Sequence, residues 1–403
     1  PEDLEAANNR PISLSNDEPV APKCRSRLGC CPAVCYRLHG YFGRLEPAMS
    51  KTATGRFFED FRLGEVIVHA TPRTVRYSDA AIYTALTGSR FLPQCSIPQA
   101  MANGHETMPI DELLAFHIIF GKSVPDISLN AAANLGYAEG RFHRLVMPSD
   151  TLTAHSEIIG LKETSSHRTG IVYLRTTGTD QEGRPVLEYC RWVLVKKRDA
   201  ASEAPQTIVP DLAESVPPSA LAAPSGLGPL SLDPVTSGSP FTFEDYAIGE
   251  RIDHVDGMGI MDSEHRLATR LYQNTARVHF DDYVERSGRL GTVIVYGGVI
   301  ISLARALSFN GLGNLWHLLA INGGTHANPA QAGDTVHAWS EVLDKAPLAG
   351  RDDCGALRLR LVATRNRACH DFPFKDADGH YLPEVLLDLD YWGLMPTRAA
   401  LKS

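Results

Sequence analysis

Phe58-Glu59-Asp60-Phe61-Arg62-Leu63-Gly64-Glu65 returns 185 residues later as Phe243-Glu244-Asp245-Tyr246-Ala247-Ile248-Gly249-Glu250. A second stretch, Ser149-Asp150-Thr151-Leu152-Thr153-Ala154-His155-Ser156-Glu157, returns at an offset of 184 as Gly333-Asp334-Thr335-Val336-His337-Ala338-Trp339-Ser340-Glu341. Two separate matches at nearly one spacing make the chain a tandem duplication whose copies have diverged. Its 403 residues are ample for two such units.

Each copy carries the same pattern. The Phe-Glu-Asp turn leads to a short strand, a mixed segment and then one helix. In the first copy Leu113, Phe116, His117 and Phe120 fall at helical spacing behind Asp111, a residue type that opens helices. In the second, Gly297-Gly298 opens a run through Val299, Ile300, Leu303, Ala304 and Leu307 that is apolar around most of its circumference, as in a buried helix. Strands follow: 170–178 and 186–197 read as a hairpin, and Leu357-Arg358-Leu359-Arg360-Leu361 alternates between a dry and a wet face. One helix followed by several strands, twice over, predicts an α+β fold with an antiparallel sheet wrapped around a central helix in each copy. The expected domains are 49–200 and 241–398. Between them, 201–240 hold eight prolines and neither Lys nor Arg, the composition of an extended linker. Residues 1–48, ahead of the first methionine (Met49), lack periodicity and read as a disordered extension outside the domains.

Composition narrows the function. With 39 basic against 47 acidic side chains, no basic face is implied and a nucleic-acid partner is disfavoured. No run approaches eighteen apolar residues, so no membrane span is expected. Cys24, Cys30, Cys31 and Cys35 crowd near the start, but the Cys30-Cys31 adjacency fits no common zinc spacing and no metal site is assigned. The other four cysteines are scattered singly, which suits a cytoplasmic chain better than a disulfide framework.

The copies resemble hotdog folds of the MaoC-like type, joined as a tandem (double) hotdog. Gly333-Asp334-Thr335 is similar to the family's P-G-D-T turn, and Tyr296-Gly297-Gly298 stands where its helix-opening H-G-M lies. Residues Tyr272 to His279 stand where R-specific enoyl-CoA hydratases carry G-D-x-N-P-x-H. The stretches 271–280, 300–305 and 115–126 look like one subgroup throughout, the mesaconyl-CoA hydratases, also called β-methylmalyl-CoA dehydratases. The resemblance implies a hydro-lyase that reversibly hydrates mesaconyl-CoA, as its C1 thioester, to β-methylmalyl-CoA. CoA is then part of the substrate, and no metal or other cofactor is expected. Pairing of two chains into a homodimer stays open. Alternatives are a general R-specific enoyl-CoA hydratase, a non-catalytic acyl-CoA binding protein and a hotdog acyl-CoA thioesterase. The thioesterase needs a carboxylate aimed at the thioester, and none is found at the helix start.

Hydration of an enoyl thioester needs a base for water, donors for the developing enolate oxygen and a proton for the α-carbon. His279 is the candidate acid/base, because imidazole titrates near neutrality. Asn274 replaces the family's aspartate five residues before that histidine; it can orient water but cannot take a proton. His279 then makes both transfers, or Asp281 or Asp282 assists, and the sequence leaves this open. Gly297 and Gly298 are the candidate oxyanion and thioester site, since glycine admits a carbonyl close to the main chain at a helix start. Arg277, Arg270 and Arg90 are candidates for the substrate's free carboxylate, and Lys196-Lys197-Arg198 for CoA phosphates. Aligning the tyrosines of the two copies puts Arg90 where the second has His279, so a binding half and a catalytic half are expected.

Overall fold

A computed structural model describes residues 51–288 and 290–402. The extension 1–48, with Cys24, Cys30, Cys31 and Cys35, lies outside the described residues. The first copy runs β1 (Val66–Val68), β2 (Arg73–Thr74), a flanking helix (Tyr77–Thr87), the first central helix (Glu112–Ile127), then β3 (Ala131–Phe142), β4 (Thr151–Glu163), β5 (Thr169–Thr179) and β6 (Pro185–Lys196). The second repeats it: β7 (Arg251–Gly259), a flanking helix (Asp262–Leu271), the second central helix (Gly297–Leu307), then β8 (His317–His326), β9 (Thr335–Pro347), β10 (Cys354–Arg365) and β11 (Val385–Pro396).

These strands form one antiparallel sheet in the order β1-β4-β5-β6-β3-β8-β11-β10-β9-β7, with β2 against β4. The order reads alike from either end, and the seam is the β3–β8 pair, where Tyr137 faces Gly324 and Arg141 faces Ala320. Strand β5 alternates strictly between buried and half-buried positions, one face toward the helix. The predicted hairpin forms as β5 and β6, and both predicted central helices form, the second buried from Gly298 to Leu307. Their apolar faces share one core: Leu114, Ile118, Ile300 and Leu303 belong to a single cluster of buried residues.

The duplication persists down to single contacts. The Gly64 N–H donates to the Ile158 carbonyl and Gly249 to Val342, each at 2.8 Å. A buried His–Ser pair recurs as His69 with Ser156 (2.7 Å) and His254 with Ser340 (2.8 Å). Phe58 lies so close over Gly170, and Phe243 over Gly355, that neither glycine has room for a Cβ. The proline-rich segment is held along its length. Val216, Leu221, Leu230 and Leu232 are buried in a cluster with Trp316 and Trp392, and the Trp392 indole donates to the Val216 carbonyl at 3.1 Å. No helix among the described residues is long and apolar enough to cross a membrane.

Candidate active site

The two central helices begin differently. In the first copy Asp111 is the N-cap and accepts the Leu113 N–H at 2.9 Å, while the buried Glu112 pairs with His317. Carboxylates thus stand at the first helix start, where Asp111 was expected, and both are engaged within the protein. In the second copy the N-cap is Tyr296, whose side chain makes no capping bond. The N–H groups of Gly297 and Gly298, in the first turn, thus have neither an intrahelical partner nor a side-chain cap. Both glycines are required by close approach. A methyl at Gly297 would run into the His326 ring, and one at Gly298 would lie 2.7 Å from the His117 ring.

His279 ends a single 3-10 turn (Arg277–His279) beside this helix start. Its ring is buried and lies 5.5 Å from that of Tyr296. Nδ1 donates to the Ile294 carbonyl at 2.9 Å, and the Ile294 N–H returns to Val278 at 3.1 Å, lacing the turn to the strand-like approach to the helix. With Nδ1 protonated, the lone pair of the neutral ring is on Nε2. Burial lowers its pKa to about 4, so the ring is a neutral base at pH 7.

Asn274 is buried, and its Oδ1 accepts the Ala276 N–H at 3.0 Å. The loop bearing it turns at Gln273, whose φ of +56° is left-handed, and presses on the first copy's helix at Gly121. A Cβ there would lie 3.1 Å from the Asn274 nitrogen and well inside contact distance of the Tyr272 carbonyl. Asn274 also lines a cleft of about 670 Å³ between elements of the two copies, with Thr71, Lys122, Arg266, Arg270 and Phe280 among the other walls.

Of the carboxylate candidates, only Arg270 lines this cleft. Arg277 is exposed outside its lining, and Arg90 is exposed with its guanidinium 4.5 Å over the Phe309 ring. Arg90 is not the counterpart of His279 either. Helix caps Asp111 and Tyr296 stand 185 apart, as do the starts of the flanking helices, so the ungapped counterpart is Gln94. Its amide donates to the Trp316 carbonyl at 3.3 Å. Asp281 caps the next turn through the Val284 N–H, and Asp282 pairs with Arg266 at 2.9 Å; both serve local structure. Lys197 pairs with Glu163 and Arg198 with Asp60, while the exposed Lys196 has no ion pair among the described residues.

Sequence reasoning passed over Lys122. Its buried amine bonds the Thr71 carbonyl and lines the cleft, and burial, with Arg73 nearby, lowers its pKa to about 8. One signal was available: it is the only Lys or Arg in the largely apolar stretch 113–124. His117 and His326, whose rings wall the two glycines, carried no motif.

The family model described as mesaconyl-CoA hydratase matches residues 41–227. The chain is 57% identical over 349 residues to the beta-methylmalyl-CoA dehydratase of Chloroflexus aurantiacus, covering 87% of this chain and 99% of that protein. It is 56% identical over 346 residues to the mesaconyl-CoA hydratase of Cereibacter sphaeroides, covering 86% and 99%. A solved MaoC-domain dehydratase from C. aurantiacus superimposes with a TM-score of 0.85 at 57% identity, over 87% of this chain and all of that one. A Mycobacterium tuberculosis protein described as a double hotdog fold superimposes with a TM-score of 0.68 at 24% identity, over 85% and 99%.

Proposed function

The chain belongs to the mesaconyl-CoA hydratase family, and on that premise we propose that it is a hydro-lyase interconverting mesaconyl-CoA, as its C1 thioester, and β-methylmalyl-CoA. The observation that carries the mechanism is an uncapped Gly-Gly helix start beside a buried imidazole with Nδ1 held and Nε2 free. The thioester oxygen sits against the Gly297 and Gly298 N–H groups. Asn274 holds a water, and His279 Nε2 takes its proton as the oxygen bonds to the β-carbon. The electron pair moves onto the thioester oxygen, where the helix-start donors stabilise it by about 3–4 kcal/mol per donor. His279 then returns the proton to the α-carbon, and dehydration is the reverse. Asp281 and Asp282 take no part, since each is bonded within its own turn or to Arg266. Cys95, Cys190, Cys354 and Cys369 form no disulfide among the described residues, which supports a cytoplasmic setting.

The test supplies mesaconyl-CoA, crotonyl-CoA and a saturated acyl-CoA, following loss of enoyl absorbance and release of free thiol. Hydration of mesaconyl-CoA alone is expected. Equal activity on crotonyl-CoA would make it a general enoyl-CoA hydratase, thiol release a thioesterase, and silence on all three a binding protein. His279→Ala is expected to lose about 10²–10⁴ in kcat while still binding the ester.

A further inference from the structure

Arg191, on β6, is 1% exposed, yet no carboxylate among the described residues pairs with it. Nη2 donates to Ser123 Oγ at 2.8 Å and Ser128 Oγ at 3.1 Å, near the end of the first central helix, and the guanidinium lies 4.3 Å over the Phe120 ring. Nε and Nη1 have no hydrogen-bond partner among the described residues. A buried cation left without a counter-charge is costly, because the interior cannot replace the water it has lost. The Phe120 ring in turn lies 5.5 Å from Tyr296, the N-cap of the open helix, whose ring lies 5.5 Å from His279. The Tyr137 and Tyr296 phenols are close enough to feel the Arg191 charge.

The other copy explains what is missing. There the buried arginine is Arg305, at the position 185 residues after Phe120, and it bonds Ser308, the counterpart of Ser123. Asp111 and Glu112, the carboxylates at the start of the first central helix, are near enough to act on the Arg305 charge, although its direct hydrogen bonds go to Ser308 and the Leu315 carbonyl. The same arrangement of arginine, serine and opposing helix start thus occurs twice. In one copy the protein supplies the carboxylates. In the other, Tyr296 and Gly297 occupy those two positions, and the arginine keeps unpaired donors beside an uncapped helix start.

We propose that Arg191 reads the free carboxylate of the substrate's acyl group, which takes, beside the open helix, the place that Asp111 and Glu112 fill beside the other. This rests on the hydratase reading above and adds the residue that sets its preference for a dicarboxylic ester. It replaces Arg277, Arg270 and Arg90 in that role: none of the three is buried. A buried donor set built for a polar group strongly rejects a substrate lacking it, since the donors then stay unpaired.

The test compares mesaconyl-CoA with 2-methylcrotonyl-CoA, in which a methyl replaces the carboxylate. Wild-type protein is expected to prefer mesaconyl-CoA, and Arg191→Met to lose that preference by about 10²-fold or more in the ratio of kcat/KM, chiefly through a higher KM for mesaconyl-CoA. A ratio unchanged in a folded Arg191→Met protein overturns the proposal, whatever the absolute rates. Arg191→Lys, which keeps the charge and loses the planar donor set, serves if the Met variant does not fold. A partial fall in the ratio is expected there, and no fall overturns the proposal. Wild-type protein inactive on both esters would instead defeat the hydratase reading.

Discussion

His279 is made a base by what its other nitrogen does. Because Nδ1 is committed to a main-chain carbonyl, the tautomer is set, and because the ring is buried, it stays unprotonated until the pH approaches 4. The acid limb of kcat/KM is therefore expected well below the ordinary histidine value near 6.5; a pH–rate profile falling with an apparent pKa of 6.5 or above would refute it. Gly297 is constrained from the opposite side. A methyl there meets the His326 ring, so Gly297→Ala should displace the ring or the helix start and lower kcat by about 10²-fold, the scale of a lost oxyanion donor. Steady-state kinetics with a melting curve separate this from unfolding. Residue-scale legibility was uneven. Asn274 and His279 share one short stretch and the glycine pair opens the helix that follows, so both could be read, whereas Arg191 lies on a strand that reads only as alternating core, next to Cys190 and Trp192.

At the scale of elements, the two central helices differ in how their starts are satisfied, and this explains why one copy is open and the other closed. Asp111→Ala removes a side-chain cap and is expected to cost about 0.5–2 kcal/mol of stability, read in denaturant unfolding, with little effect on the opposite helix start. Gly121 matters across elements: a Cβ there strikes the main chain of the Asn274 loop, which cannot swing away as a side chain could. Gly121→Ala should therefore lower kcat/KM by at least about tenfold by moving Asn274, in excess of the small helix gain that alanine otherwise brings. Wild-type kinetics in that variant would show the loop contact to be dispensable. The helices themselves were legible because an apolar period over ten residues is a strong signal. The pairing of Gln94 with His279 was not, because two tyrosines offered a gapped alignment that the caps at Asp111 and Tyr296 rule out.

Across the whole molecule, His117 is held near a pKa of 3, and His254, His279 and His326 near 4, all by burial. In the unfolded chain each would titrate near 6.5. Their neutral burial is thus fully tolerated above pH 6.5. Stability is lost as the pH falls from there toward 4, by up to about 1.4 kcal/mol per unit for each ring. Asp111, raised to about 6 by burial and by Glu112, has the opposite sign and offsets part of the loss. Tm is expected to fall clearly between pH 7 and pH 5 in thermal melts, and a flat profile would contradict the burial. The linker's composition announced an extended segment but not its seat, because its apolar anchors Val216, Leu221, Leu230 and Leu232 are spaced without period. A single protease cut near its exposed residues Ala213 and Glu214 should leave both fragments co-eluting on size exclusion, since core and sheet both run across the seam.

The β3–β8 seam also bears on how the protein behaves at low concentration. Were the copies separate chains, their meeting would be bimolecular, and the cleft between them would dissolve once the solution became thin enough. Tethered on one polypeptide, each sees the other at a fixed, effectively millimolar level. The assembled cleft therefore persists however scarce the protein is in the cell.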